Sequence, residues 1–232
     1  MPVPAPAPLA NDLLKAIGQR WMAAMRAGDF ETAWCQTDRI ELPRRSGCSI
    51  PNPSQLIWDG TPFTGKRVLV RCNHGLGDTI QFVRFLPQIA PHARQVVFMA
   101  QPLLLDLLKG QTALGEICND WAPGACLAHD CEIEIMELAY AVRATAQSLP
   151  QPPYLERAEI TRRSSLRLTT ASSRRRLRFG LIWAASDWDE SRSIPFSELL
   201  ALHQIGAESV SLQQGAHADD WKTGGLSVEP LA

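Results

Sequence analysis

The sequence lacks most of the features that would place a function at once. No charge of one sign prevails: 23 Lys and Arg stand against 24 Asp and Glu in 232 residues, a formal net charge of −1. That balance excludes a whole-chain field able to recruit nucleic acid or an anionic membrane. No apolar run approaches the roughly 20 residues a membrane-crossing helix needs. The opening "MPVPAPAPLAND" has neither a basic n-region nor an apolar h-region, so it does not read as a secretory signal. Its Pro/Ala alternation reads as a disordered lead-in. The six cysteines, Cys35, Cys48, Cys72, Cys118, Cys126 and Cys131, are scattered through a chain too large to need cross-links, so reduced thiols are expected. Cys118, Cys126, His129 and Cys131 do not match zinc spacing. Cys126 and Cys131, with four residues between them, stand only at the wide limit of a C-x2-4-C knuckle, and the step from His129 to Cys131 is too close. The expectation is a cytoplasmic chain with no metal, no cofactor and no membrane span, able to act at the inner face of a membrane.

What is present is organised. Residues 1–45 comprise the lead-in and a helical hairpin. Leu13, Leu14, Ile17, Trp21, Met22 and Met25 recur at helical spacing. Gly28 can end that helix and Asp29 can cap the next, with Thr32 as partner. Phe30, Ala33 and Trp34 continue the apolar face toward Ile40. "AGDFETAW" resembles the inter-helix turn of a tetratricopeptide repeat, although one hairpin is not an array. Residues 46–64, within a stretch rich in Pro, Ser, Gly and Asn, read as a linker.

Over 65–155, "RVLVRC", "QVVFMAQ" and "EIEIM" are strand candidates. Between and after them lie predicted helices at 79–89, at "PLLLDLLKG" with Pro102 leading and Gly110 closing, and at 138–149. Strand and helix in alternation predict a parallel α/β sheet. Residues 156–177 are basic and Ser/Thr-rich, with no aromatics interleaved for base stacking, and read as a solvated linker. Over 178–232, "RFGLIWAAS" and "SVSLQQG" are strand candidates around the predicted helix "SIPFSELLALHQI". After Gly215 no periodicity is clear, so the second α/β domain is expected to be incomplete.

The loop between the first strand and its helix carries the chemistry: Asn73, His74, Gly75, Leu76, Gly77, then Asp78. Loops at the carboxyl ends of parallel strands are where open α/β sheets bind ligands. Glycines there let backbone N–H groups approach an anion at a helix start. Two familiar loops do not fit. A dinucleotide fingerprint needs a third small residue where Ile80 stands, and an acidic residue where Gln101 stands. A phosphate loop of the Walker type needs Gly-Lys-Ser/Thr after the glycines, whereas Gly65-Lys66-Arg67 precedes the strand. Asp78 with Gln81 reads as a capping box at the opening of the helix.

In order along the chain, "GLGDTIQFVRFLP", "VVFMAQPLLLDLL", "EIEIMELAYAV", "PYL", "FGLIWAAS", "SRSIPFSELLAL" and "VSLQQG" resemble bacterial glycosyltransferases similar to the ADP-heptose:lipopolysaccharide heptosyltransferases. The resemblance covers about Trp58 to Gly215. It implies a GT-B fold: two Rossmann-like domains, the first holding the acceptor and the second the nucleotide-sugar donor. It implies metal-independent inverting transfer to a glycan or protein acceptor.

Asp78 matches the proposed general base of that family, and Gly75 and Gly77 the small residues before it, on the phosphate-approach side. Arg192 matches a cation that meets donor phosphates. His74 is a second base candidate by its intrinsic pKa. Gln81 and Arg84 are candidates to touch acceptor hydroxyls, with a solvated surface role equally open. The family's later donor-gripping stretch has no counterpart after Gly215, where only His217, Asp219 and Asp220 offer polar chemistry. The alternative expectation is therefore a catalytically inactive, truncated transferase remnant. It would act as a binding or interaction module, meeting a partner chain through the hairpin or an exposed sheet edge.

Overall fold

The computed structural model describes residues 11–46, 57–118, 127–152, 154–155, 178–185, 190–222 and 228–230. The linker stretches 47–56 and 156–177, together with Cys48 and Cys126, lie outside them. The chain divides into two compact units, Met1–Thr161 and Arg162–Ala232. It is a mixed α/β protein with a four-stranded parallel sheet and an N-terminal helical hairpin.

The hairpin is α1 (Asn11–Ala27) and α2 (Phe30–Arg45). Asp29 caps α2 as the sequence predicts: its Oδ1 accepts the Thr32 N–H at 3.0 Å. Gly28 makes the turn at φ 72°, in the left-handed region that favours glycine. The second helix runs past Pro43 to Arg45, beyond where the linker composition begins. Its last turn is held both within the helix and from outside it. Arg44 pairs with the buried Glu41 at 2.6 Å and donates to the Trp58 carbonyl.

In the first unit, β1 (Arg67–Arg71), β2 (Gln95–Met99), β3 (Glu116–Ile117) and β4 (Cys131–Glu134) form one sheet in the order β3-β2-β1-β4. All its pairings are parallel, with Val68 opposite both Val96 and Cys131. The central strand is buried throughout its middle, Val68 to Val70, as a sheet covered on both faces requires. The larger core cluster joins Val68, Val70, Phe85, Leu86, Phe98 and Ile133 to Trp34 of the hairpin. The hairpin is thus part of this unit's core.

Three local expectations change. The helix predicted over 79–89 begins earlier, at Leu76, and is broken into α3 (Leu76–Phe82), a 3-10 turn and α4 (Leu86–Ile89). The helix predicted over 138–149 is only α6 (Leu138–Ala141), the short α5 (Leu105–Leu108) having preceded it. It ends because Arg143 takes φ 50°. The groups it presents there are met by the hairpin: Arg143 pairs with Asp38 at 2.6 Å, and the Ala144 carbonyl accepts the Trp34 indole N–H. Third, the two-residue β3 has no counterpart in the predicted elements.

In the second unit β5 (Arg178–Leu181), β6 (Glu208–Ser211) and β7 (Val228–Pro230) form a parallel three-stranded sheet in that order. The sequence predicts the first two strands and misses β7. The predicted helix over 193–205 is instead a 3-10 segment, Phe196–Ile205. A small cluster of Trp183, Ala184 and Phe196 forms the core here.

Candidate functional site

The strand order of the first sheet reverses at β1: β2 and β3 lie on one side and β4 on the other. Such a reversal opens a crevice at the carboxyl ends of the strands, the place where open parallel sheets hold ligands. The loop after β1 and the turn after β4 face each other there. His74 and Asp78 come from the first, Glu134 and Glu137 from the second.

The helix start is registered differently from the sequence reading. Gly75 is the N-cap and Asp78 is the third helical residue, so Asp78 does not open the helix and Gln81 is not its capping partner. Asp78 Oδ2 accepts the Gly75 N–H at 3.0 Å, the reciprocal half of a capping box. A Cβ on Gly75 would sit 3.2 Å from that same oxygen, a tight contact that a small shift of the Asp78 side chain would relieve. Gly77 faces open space.

Both neighbouring strands clamp the loop. From the end of β2, Gln101 donates to the His74 carbonyl and accepts the Thr79 hydroxyl, each at 2.9 Å. From the end of β4, the Glu134 carboxyl receives the Asn73 N–H at 3.2 and 3.3 Å. Its Oε1 lies 3.9 Å from His74 Nε2.

Glu134 is wholly buried, at 0% exposure. Burial pushes its pKa up to about 8, partly opposed by the Asn73 N–H and reinforced by the nearby Glu137 and Asp78 carboxylates. It therefore keeps its proton near neutral pH. Glu137 is also raised by burial, against three backbone donors: Ile57, Trp58 and Glu134 give it their N–H groups at 3.0 to 3.1 Å. Burial likewise raises the Cys72 thiol, beside the loop, which removes it as a nucleophile.

A cavity of about 450 Å³ opens over this crevice. His74, Asp78, Met136, Glu137 and Tyr140 form its floor, and Ile17, Gly18, Trp21, Trp34 and Ile40 of the hairpin form its wall. Of the residues the sequence singles out, His74 and Asp78 line this cavity, and Gly75 and Gly77 stand between them in the chain without lining it. Gln81 and Arg84 do not line the cavity. Gln81 is exposed. Arg84 donates to the Gln81 carbonyl at 2.8 Å and lies over the Tyr154 ring at 4.2 Å.

Glu134, Glu137 and Gln101 were not legible as site residues. The signal available was position alone: each stands at or just past the carboxyl end of a strand. No three His, Cys, Asp or Glu side chains among the described residues are grouped to hold a metal ion. No helix among them is long and apolar enough to cross a membrane.

Arg192 belongs to the second unit, exposed on the 3-10 turn Glu190–Arg192. A cavity of about 350 Å³ lies at the carboxyl ends of β5 and β6, lined by Trp183, Glu190, Ser193, Phe196, His217 and Asp220. There His217 Nδ1 sits 2.9 Å from Asp220 Oδ2, which also accepts the Trp183 indole N–H at 3.3 Å. Gln213 Oε1 takes the N–H groups of Trp183 and Ala184, both at 3.0 Å. Asp219 pairs with Lys222 at 2.7 Å instead of lining this cavity.

Comparison of the chain with protein-family models, with characterised proteins and with solved structures finds no match.

Proposed function

We propose that the first unit is the acceptor-side half of a GT-B-type, heptosyltransferase-like inverting glycosyltransferase. Asp78 is the general base in this reading. One observation carries it: the Asp78 carboxylate stands at the strand-order reversal, in the floor of a ligand-sized cavity, beside a buried carboxyl that holds its proton. Asp78 would take the proton from an acceptor hydroxyl while that oxygen bonds to the anomeric carbon of the donor sugar. The bond from that carbon to the diphosphate breaks in the same displacement, and one base suffices. His74 is the second candidate for that proton. In the second unit, Arg192 matches, by the resemblance, the cation that meets donor phosphates in relatives. The ordered motifs from Gly75 to Gly215 support the assignment, and the donor is a substrate rather than a cofactor.

The test is incubation of the full chain with a panel of nucleotide sugars and glycan or peptide acceptors, following nucleoside diphosphate release. Asp78→Asn should lower turnover by about 10²–10⁴-fold, the usual contribution of a positioned base. Its melting temperature should stay that of the wild type. Turnover that survives the substitution overturns the assignment.

A second reading has its own observation. Among the described residues, the second unit exposes Ile182, Ile194 and Ile205 at 69%, 52% and 57% beside the small cluster of Trp183, Ala184 and Phe196. This favours a binding module of transferase descent, and complete absence of nucleoside diphosphate binding by calorimetry is its expected outcome.

A further inference from the structure

We propose that the hairpin is the acceptor-selecting wall of the first cavity, and that the cavity takes a glycoside. One sugar ring lies on the Trp21 indole with its hydroxyls toward Asp78 and His74, and an apolar aglycone runs along Ile17 and Ile40. The role of this ligand as an acceptor rests on the glycosyltransferase reading above. The existence of the pocket does not.

Four observations converge. The cavity, at about 450 Å³, falls within the range of about 300–1,000 Å³ typical of small-molecule sites. Its two indoles are not equivalent. Trp34 is 7% exposed, is packed against Phe30 and Tyr140, and has committed its N–H to Ala144. Trp21 is half-buried, faces no other aromatic ring, and its N–H finds no acceptor among the described residues. An open indole face is electron-rich and attracts the C–H edge of a pyranose, while the N–H can serve a hydroxyl.

The polar groups suit hydroxyls better than a cation. Asp78 is an acceptor and His74 can either donate or accept. Glu41 Oε2 is held by Arg44 at 2.6 Å and Arg45 at 3.7 Å, while its buried Oε1 has no hydrogen-bond partner among the described residues and can accept a hydroxyl. Finally, Gly18 lies in the interior of α1, where glycine is destabilising relative to alanine. No close packing requires it: an added Cβ would meet nothing within 4 Å. Gly18 lines the cavity, and its lack of a side chain keeps the cavity wide.

The experiment uses the full chain with benzyl hexopyranosides, with free hexose and benzyl alcohol as the part-ligand controls. Ligand-observed NMR by saturation transfer reports which protons touch the protein. The expected result is saturation on the sugar ring C–H protons and tighter binding of the glycoside than of either part. Trp21→Ala should abolish the sugar-ring signal. Gly18→Phe should weaken glycoside binding at least tenfold without lowering the melting temperature. Benzyl alcohol binding as tightly as the glycoside, or Gly18→Phe binding like the wild type, overturns the proposal. Turnover that depends on Asp78 but has an acceptor KM unmoved by Trp21→Ala and Gly18→Phe also overturns it, and leaves the transferase reading standing. Glycoside binding blocked by Gly18→Phe in a chain that transfers no sugar upholds the pocket and overturns the transferase reading.

Discussion

Trp34 of the hairpin donates its indole N–H to the backbone carbonyl of Ala144 at 2.7 Å, across 110 positions of sequence. Both residues are buried, and the bond joins the hairpin to the chain that follows β4. Trp34→Phe keeps most of the ring and leaves that carbonyl unpaired, so it should cost about 1–3 kcal/mol. Urea unfolding followed by fluorescence and by circular dichroism should show one coincident, lowered transition for the first unit. A hairpin that unfolds separately at lower urea would contradict its place in the core.

Glu134 gives a pH signature. Its folded pKa stands at about 8 against an ordinary 4.5. Between those values the unfolded chain has released a proton that the folded chain retains. The stability from this group is complete below about 4.5 and is lost as pH rises through about 8. Glu134→Gln keeps an acceptor for the Asn73 N–H and cannot ionise. Its melting temperature should therefore exceed that of the wild type at pH 8 and converge with it at pH 5. His74, Asp78 and Glu137 also face this carboxyl, so their substitution should move the midpoint of the profile without removing it.

Asp78 is predicted to separate into two roles. Asn can still accept the Gly75 N–H, so Asp78→Asn should change stability by less than about 0.5 kcal/mol. Asp78→Ala removes the acceptor and should cost about 1 kcal/mol, the usual value of a lost capping bond. Chemical denaturation of the two variants side by side checks this independently of any activity.

Arg84 lies over Tyr154, whose hydroxyl donates to the Ile80 carbonyl at 2.9 Å. This clip holds the outer side of α3, away from the cavity lining. Arg84→Ala should lower stability by about 0.5–1 kcal/mol, the value of an exposed cation–π contact. Under the transferase reading it should leave acceptor KM unchanged, which steady-state kinetics would show.

Gly115 turns into β3 at φ 83°, and a Cβ there would come 2.7 Å from the Val96 carbonyl oxygen. Backbone strain and a backbone clash act together, so Gly115→Ala should cost about 1–3 kcal/mol. Thermal melting measures it, and an unchanged midpoint would contradict the turn.

The sequence by itself determined the elements whose signals are local. The Asp29 cap, the Gly28 turn, the β-branched strands β1 and β2 and the glycine loop ahead of Asp78 all follow from side-chain and backbone preferences of neighbouring residues. The sequence also placed His74 and Asp78 together at the junction of β1 with the helix that follows it. It did not place the opening of α3 at Leu76, because glycine is a weak N-cap signal and Asp is the stronger one. It read 138–149 as helix because the apolar spacing continues, whereas the chain turns at Arg143, where Asp38 and Trp34 of the hairpin meet it. Only the tertiary structure decided that Glu134 and Glu137 join Asp78, because two strands whose paired residues lie 63 positions apart in sequence become neighbours only through parallel pairing. Only it decided that the hairpin walls the cavity, because that contact depends on non-local burial and leaves no periodicity in the chain.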